Sequence, residues 1–212
     1  MSDASENWLQ RVRLTAAEPG VWLNCGRMLR QAAEDLWVSG NAHDNSPGSE
    51  LGATVLASYQ APDFTPPPTG GSTRNACFML FGYALENLAK GIIFGRDPSL
   101  VTQKALERLG EHGHGLVYLF EMAGIDLTEQ ERQVLDRTTR MTVWKGRYPV
   151  PLRFASSSPH DPMLGYVAVN DVWPEDEYDN LSALYEKAKS ELTNTMRSVP
   201  PLPDNYDFAN PS

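Results

Sequence analysis

The sequence predicts an all-α fold, a bundle of about five to seven helices. Apolar residues recur at helical spacing in several separate stretches. Helix start signals such as Asp97-Pro98 and Thr128-Glu129-Gln130-Glu131 divide these stretches from one another. No segment has the alternation of a convincing strand, and no repeat of about 20–50 residues is visible.

The composition limits the class of protein. The chain has 212 residues and a formal net charge of −9, which argues against strong, unselective binding of nucleic acid. Its first residues lack the pattern of a signal peptide, and no apolar run reaches the roughly 18 residues of a spanning helix. We therefore expect a cytoplasmic protein that does not enter the membrane. Cys25 and Cys77 are expected to be buried free thiols.

The sequence predicts two helices in the N-terminal part of the chain. Residues 5–17 form the first, and Glu18-Pro19-Gly20 ends it. The second runs from about Val21 to Val38, before the stop signal Ser39-Gly40-Asn41. The residues expected on its inward face are Trp22, Cys25, Met28 or Leu29, Ala32 and Leu36.

A long loop rich in Pro and Gly is predicted from Gly40 to Thr73. Within it, Leu51 to Tyr59 fits either a short helix or a strand. Compact domains seldom contain loops of this length, so we interpret it as an insertion or a functional flap.

The most apolar stretch, Asn75 to Phe94, predicts the central helix of the bundle because its first half is apolar nearly all round. Glu86 and Lys90 are four residues apart and form a favourable helical pair. We expect this pair to be structural.

Four later helices are predicted from their boundaries. Asp97-Pro98 begins one that Gly110 ends, and Gly124 ends a short apolar helix, LVYLFEMAG. The capping box at Thr128 begins a helix that runs to about Trp144. After a Pro-rich coil, Pro174-Glu175-Asp176-Glu177 begins the last helix. The residues expected to face inward are Val134, Leu135, Thr138 and Met141 in the third of these helices, and Leu181, Leu184, Tyr185, Ala188, Leu192 and Met196 in the last.

One zone of the acidic chain is locally positive. From Arg137 to His160 there are five basic residues and no acidic one. Arg137, Arg140 and Trp144 share one helix face. This zone fits an anion or RNA site, since guanidinium groups bind phosphate and aromatic rings stack on bases. Alternatively, its arginines pair with the acidic C-terminal helix. The residues of the candidate site are Arg137, Arg140, Trp144, Lys145, Arg147 and Tyr148.

Other chemistries have little support. There is no phosphate-binding loop, dinucleotide fingerprint or Gly-x-Ser-x-Gly elbow. His112-x-His114 has no cluster of further ligands in sequence and reads as a polar turn. We expect neither a metal nor a cofactor.

The succession of three motifs resembles the HEPN proteins, which are helical domains found mainly in prokaryotes. These motifs are Ala84-Leu85-Glu86-x-x-x-Lys90, Gly113-His114-x-Leu116 and Arg147-Tyr148-Pro149. The resemblance covers about residues 74–151 and, more loosely, the last helix. It implies an up-and-down bundle in residues 74–198, with the N-terminal helices and loop of residues 1–73 packed on it and a Pro-rich tail in residues 199–212.

The resemblance also implies a function. Many HEPN proteins form homodimers and belong to toxin–antitoxin, phage-defence or RNA-processing systems, so an antitoxin, a nucleotidyltransferase, RNA or a nucleotide are the expected partners. A homodimer is also expected because the aromatics Trp8, Trp22 and Trp37 and the apolar helix 75–94 give more apolar surface than one small bundle hides.

Active HEPN ribonucleases need no metal and use an Arg-x(4–6)-His motif. The helix from Thr128 to Trp144 has no histidine, but Arg108 with His114 and Arg153 with His160 have this spacing. The sequence favours a binding protein without robust catalysis. The alternative is a ribonuclease that uses one of these pairs across a dimer, with His transferring a proton and Arg stabilising the phosphate.

The segment WKGRYPVP, residues 144–151, ends the positive zone's helix. Gly146 and the two prolines stop the helix, and the two aromatic residues are expected to pack its exit against the bundle. Arg147 is expected to pair with either Glu86 or a bound anion.

Overall fold

A computed structural model describes residues 3–44, 70–101, 115–142, 176–203 and 206, without the side chains of residues 3–6, 40–44 and 70–75. In this part of the chain there are six α-helices, one short 3-10 helix at Pro98–Leu100 and no strand. The prediction of an all-α fold is therefore confirmed. The helices are α1 (Asp3–Ala17), α2 (Pro19–Asp44), α3 (Gly70–Arg96), α4 (Leu116–Met122), α5 (Glu129–Arg140) and α6 (Glu177–Ser198).

Helix α3 is the centre of the bundle, as its sequence predicts. It contacts every other α-helix, and α2 and α6 pack along it most extensively. From Cys77 to Phe94 its apolar side chains are almost all buried. The stretch Ala76–Arg96 is long and apolar enough to cross a membrane by length and composition alone, but 72% of its most apolar 18-residue window is buried inside the bundle. It is the core helix of a packed domain.

Two glycines let the neighbouring helices approach α3 closely. A Cβ atom on Gly91 would lie 2.7 Å from Cβ of Trp22 and 3.1 Å from Cδ1 of Leu192. A Cβ atom on Gly95 would lie 2.6 Å from Cγ of Pro19. A larger residue at either position would push α2 away from α3.

Helix α2 differs from the prediction in length and in orientation. It continues through Ser39-Gly40-Asn41 to Asp44, and α3 begins at Gly70, so both ends of the predicted loop 40–73 are helical. Residues 45–69, including the undecided segment 51–59, lie outside the described part of the chain.

The inward face of α2 is also different from the prediction. Leu29 packs on the core, whereas Cys25 and Met28 are exposed. Buried Gly26 explains this, because a Cβ atom there would lie only 3.0 Å from Leu88, so the closest contact with α3 falls one residue after Cys25. The prediction of a buried Cys25 is wrong, and that of a buried free Cys77 is confirmed.

An arginine on α2 joins three helices. The Arg30 guanidinium lies 4.4 Å from the ring centre of Phe81 on α3 and donates hydrogen bonds to Tyr178 Oη and Ser182 Oγ on α6, each at 3.2 Å. Trp37 stacks on Tyr178 with 4.5 Å between ring centres. A cation over aromatic faces is attracted by their electron density, and here the same cation also satisfies two hydroxyl groups.

The boundaries of α4 and α5 follow the predicted signals. Gly124, at φ 69°, follows α4 in the left-handed conformation that glycine adopts readily. Thr128 and Glu131 form both hydrogen bonds of the capping box. Helix α5 is followed by a π turn at residues 141–142, and the chain from 143 to the predicted end near Trp144 lies outside the described residues. The four residues expected to face inward from this helix are all buried.

The segment after α3 begins with the predicted cap but not with the predicted α-helix: it forms the short 3-10 helix Pro98–Leu100, and Val101 is not helical. Asp97 caps it by accepting a hydrogen bond from the Ser99 amide at 3.1 Å. The rest of the predicted helix, up to Gly110, lies outside the described residues.

Helix α6 buries five of its six predicted core residues. Met196 is the exception at 39% exposed, because it lies in the last turn, where the helix borders an open cleft. The chain then turns back towards α1, where the Gln10 side-chain amide donates a hydrogen bond to the Tyr206 carbonyl at 2.8 Å. Leu202 and Tyr206 pack against the core.

We predict that Gly91→Val lowers the free energy of unfolding by about 1–3 kcal/mol, because the added side chain overlaps Trp22 and Leu192. Urea denaturation measures the change. The control is Ala183→Val at an exposed position of α6, which should cost no more than about 0.7 kcal/mol of helix propensity. Equal losses in the two variants would show that α2 and α6 do not pack closely on Gly91.

Glu131 ties the start of α5 to α6. Lys187 Nζ lies 2.7 Å from Glu131 Oε1 and 2.6 Å from the Asp126 carbonyl oxygen. Burial raises the pKa of the Glu131 carboxyl, but hydrogen bonds from Lys187 and Thr128 outweigh it and hold the pKa below its usual value of 4.5.

A folded-state pKa that is lowered stabilises the fold above the unfolded value and stops doing so as pH falls through the folded value. We therefore predict that Glu131→Gln destabilises the protein at pH 7, and that the difference from wild type shrinks as the pH falls below about 4.5. Urea denaturation across this pH range measures it, with exposed Glu129→Gln as control. A difference that does not change with pH would contradict the role of the carboxylate charge.

Candidate functional site

Only part of the predicted site lies in the described residues. Arg137 and Arg140 lie on α5, and Glu86 and Lys90 lie on α3. The remaining site candidates lie outside the described part of the chain and stay predictions: Trp144, Lys145, Arg147, Tyr148, and the two ribonuclease pairs Arg108/His114 and Arg153/His160.

Arg137 is held by a buried carboxylate. Its Nε lies 3.0 Å from Glu177 Oε1 and its terminal nitrogen 2.7 Å from Glu177 Oε2, so the contact has two parallel hydrogen bonds. The Glu177 side chain is fully buried, whereas that of Arg137 is 32% exposed. The pair joins α5 to the first turn of α6, where the partial positive charge of the helix also favours the carboxylate.

Of the two alternatives for Arg137, the structure contains the ion pair with the acidic C-terminal helix. The sequence fits either a bound anion or a partner on the acidic C-terminal helix, and the partner is Glu177 of that helix. A buried carboxylate needs a cation beside it, because removal from water is costly for an unpaired charge. Glu177 occupies the Nε–Nη2 edge of the guanidinium, which is one of the two edges that can bind a phosphate with two hydrogen bonds.

Arg140 is different. It lies one turn beyond Arg137 at an exposed position and forms no ion pair with any residue in the described ranges. It is the described residue of the positive zone best placed to meet an anion from solvent.

Helix α3 carries a half-buried polar stripe, which consists of Tyr83, Glu86, Asn87 and Lys90. Lys90 Nζ donates to Glu86 Oε1 at 2.6 Å, and Glu86 is only 7% exposed. The Asn87 amide donates to the Tyr83 carbonyl at 2.7 Å, and the Tyr83 hydroxyl donates to the Thr142 carbonyl at 3.4 Å. The predicted pair of Glu86 and Lys90 is therefore present.

The described contacts of the polar stripe hold helices together. The charges of Glu86 and Lys90 neutralise each other, and the Tyr83 hydroxyl reaches the end of α5. Sequence analysis missed Tyr83 and Asn87. Their spacing from Lys90, at i, i+4 and i+7 on an otherwise apolar helix, is the signal that could have found them.

No group of three or more His, Cys, Asp or Glu side chains that could hold a metal ion occurs within the described ranges. This finding covers neither His112 nor His114, which lie outside them.

Large apolar side chains are exposed on the two N-terminal helices. Trp8 is 66% exposed and Met28 is 67% exposed. Two of the tryptophans that motivate a homodimer pack inside the protein: Trp22 contacts Phe94, and Trp37 contacts Tyr178. Helix α3, which also motivates it, is mostly buried. The expected excess of apolar surface is therefore smaller than predicted. Besides α1 and α2, the described residues with large exposed apolar side chains are Tyr118, Met122 and Met196.

We predict that Arg137→Met lowers the free energy of unfolding by about 2–3 kcal/mol, because it leaves the buried Glu177 carboxylate without its partner. The matched control is Arg140→Met on the same helix, which should change stability by less than about 0.5 kcal/mol. Urea denaturation of both variants measures this.

The double variant Arg137→Met/Glu177→Met isolates the pair. It should recover much of the stability lost in Arg137→Met, since no buried charge remains. If Arg137→Met is as stable as Arg140→Met, Arg137 is solvated and becomes a candidate anion ligand again.

Comparison with known proteins leaves the family open. No protein-family model matches the chain, and no curated protein or solved structure matches it significantly.

Proposed function

We propose that the chain is a HEPN-like helical binding protein without robust catalysis, acting in a prokaryotic stress, toxin–antitoxin or phage-defence system. The observation that carries the proposal is the engagement of Arg137 by Glu177. In the predicted positive zone this arginine has a structural partner: Glu177 offsets its charge and occupies its Nε–Nη2 edge, which favours a structural role over stabilising charge on a phosphate.

A second ion pair, on α3, supports the same conclusion. Lys90, in the motif Glu86-x-x-x-Lys90 on which the resemblance partly rests, is neutralised by Glu86 at 2.6 Å. Both pairs favour a role in which the bundle is a rigid frame that presents surfaces to partners. The expected partners remain an antitoxin, a nucleotidyltransferase, RNA or a nucleotide, in the cytoplasm.

The outer face of α2, defined by Val21, Cys25 and Met28, is the surface that we propose for self-association. These residues are at i, i+4 and i+7, so they share one side of the helix, and all three are exposed. An exposed apolar face on a helix that also packs on the core is typical of a contact surface. A two-fold axis through this face would bring the two copies of Cys25 together, because the same patch meets itself in such a dimer.

We predict that light scattering gives a mass near twice the 23.5 kDa of the chain, and that Met28→Glu gives the mass of the monomer. A carboxylate in the middle of an apolar contact is left unpaired and costly. Met122→Glu, an exposed methionine on α4, is the matched control and should stay dimeric. Wild-type protein at 23.5 kDa at micromolar concentration would contradict the dimer, and a dimeric Met28→Glu would move it to another face.

We predict that the isolated protein does not cleave RNA in the presence of a chelator. A metal-independent ribonuclease needs a His and an Arg within about 3 Å of the reacting oxygens, and Arg137, one of the two described arginines of the zone, is paired with Glu177. The assay uses structured and unstructured RNA with wild type, His114→Ala and His160→Ala. Cleavage by wild type that disappears in either variant would establish the alternative, a ribonuclease using Arg108/His114 or Arg153/His160.

A further inference from the structure

A cleft of about 400 Å³ lies at one end of the bundle. Its walls come from the turn between α1 and α2, the end of α3 with Pro98, the last turn of α6, and the chain from Val199 to Leu202. This volume lies within the range of small-molecule sites in proteins, which is about 300–1,000 Å³. The cleft is separate from the polar stripe and from the Arg137–Glu177 pair.

The lining of the cleft is apolar apart from Thr15 and Glu18. Leu14, Met196 and Leu202 are among its apolar side chains, and none of its lining residues is basic. The Thr15 hydroxyl already donates to the Arg11 carbonyl at 2.9 Å. Among the described residues, Glu18 is therefore the single charged side chain that lines this cleft.

The backbone around the cleft offers acceptors and few donors. Four lining residues are prolines, namely Pro19, Pro98, Pro200 and Pro201, which have carbonyl groups but no N–H groups. The amides of Glu18, Gly20, Val21 and Val199 donate within the protein, to Thr15 O, Glu18 Oε1, Glu18 O and Thr195 O respectively. A ligand that needs hydrogen-bond donors finds few free ones here.

The electrostatic field at the cleft favours a cation. Helices α1 and α6 end at the cleft, at Ala17 and Ser198, and a helix C-terminus carries roughly half a negative charge. The positive N-terminus of α2 is met by Glu18, whose Oε1 accepts from the Gly20 amide at 3.3 Å. No described residue donates to Oε2 of Glu18.

We propose that this cleft binds a small amphipathic amine, with its apolar body against Leu14, Met196 and Leu202 and its ammonium group at Glu18. The apolar side chains of the cleft cover part of the body of the ligand, and the ammonium group supplies the donors that the acceptor-rich rim lacks. An anionic ligand of the same shape meets only like charge. The site goes beyond the proposed binding function and does not depend on it, and Val21 belongs both to the lining of the cleft and to the proposed self-association face.

Three probes of the same apolar shape test the proposal: cyclohexylamine, cyclohexanol and cyclohexanecarboxylate. Ligand-observed NMR titration of the full chain should give the lowest Kd for the amine, with the alcohol about fivefold weaker and the carboxylate weaker still. The proposal is overturned if the amine shows no saturable binding up to about 10 mM, roughly the limit of weak fragment binding. Equal Kd values for the three probes would do the same.

Variants assign the binding to the cleft. Glu18→Gln keeps the acceptor for the Gly20 amide but removes the charge, and should weaken amine binding about fivefold while leaving the alcohol unchanged. Glu186→Gln, on the exposed side of α6 roughly three turns from its end, is the matched control and should bind like wild type. Thr15→Trp should fill the cleft and abolish binding of all probes. Circular dichroism checks that each variant is folded, and unchanged amine binding by folded Glu18→Gln would contradict the assignment.

Discussion

The burial of most of α3 is the constraint on which the rest of the bundle depends. A helix that is apolar nearly all round is stable in water only when other helices enclose it. Its large buried residues, such as Phe81, Leu88 and Ile92, each stabilise the fold by about 1.5–3 kcal/mol when removed from water. Gly91 and Gly95 set how closely α2 and α6 approach, so the position of the outer helices follows from α3.

Charged side chains fix the orientation of the helices around this core. Arg30 joins α2 to the aromatic residues of α3 and α6, and Arg137 joins α5 to α6 through the buried carboxylate of Glu177. Lys187 adds a second link between α5 and α6 at Glu131. These cations lie between elements that are distant in sequence and give the bundle its arrangement. They are therefore structural partners, and Arg137 is the residue of the positive zone among them.

Local signals in the sequence predicted the elements that depend on local interactions. The capping box at Thr128, the Asp97 cap and the apolar helix ending at Gly124 all form as predicted, because each involves residues within a few positions of one another. The predicted end of α2 was wrong, because the helix continues through the stop signal Ser39-Gly40-Asn41 to Asp44. Its inward face was wrong because the close contact of Gly26 with Leu88 decides which side of α2 meets α3.

The site was less predictable than the fold. Glu177 and Arg137 are 40 residues apart, and charge pattern alone left the arginine with two alternatives, an anion or the acidic helix. Choosing between them needed the position of α6 on α5. The cleft beside Glu18 could not be inferred either, because it forms only where the α1–α2 turn, the end of α3 and the residues after α6 meet.

The enclosure of α3 is tested most directly by native-state hydrogen exchange measured for each helix by mass spectrometry. Amides of α3 from Phe78 to Phe94 should exchange slowest, at rates set by global unfolding, because every neighbouring helix must leave before they meet water. Amides of α1, which carries the exposed Trp8, should exchange faster through local opening. Exchange of α3 as fast as that of α1 would contradict the account, since α3 would then not be the enclosed centre of the bundle.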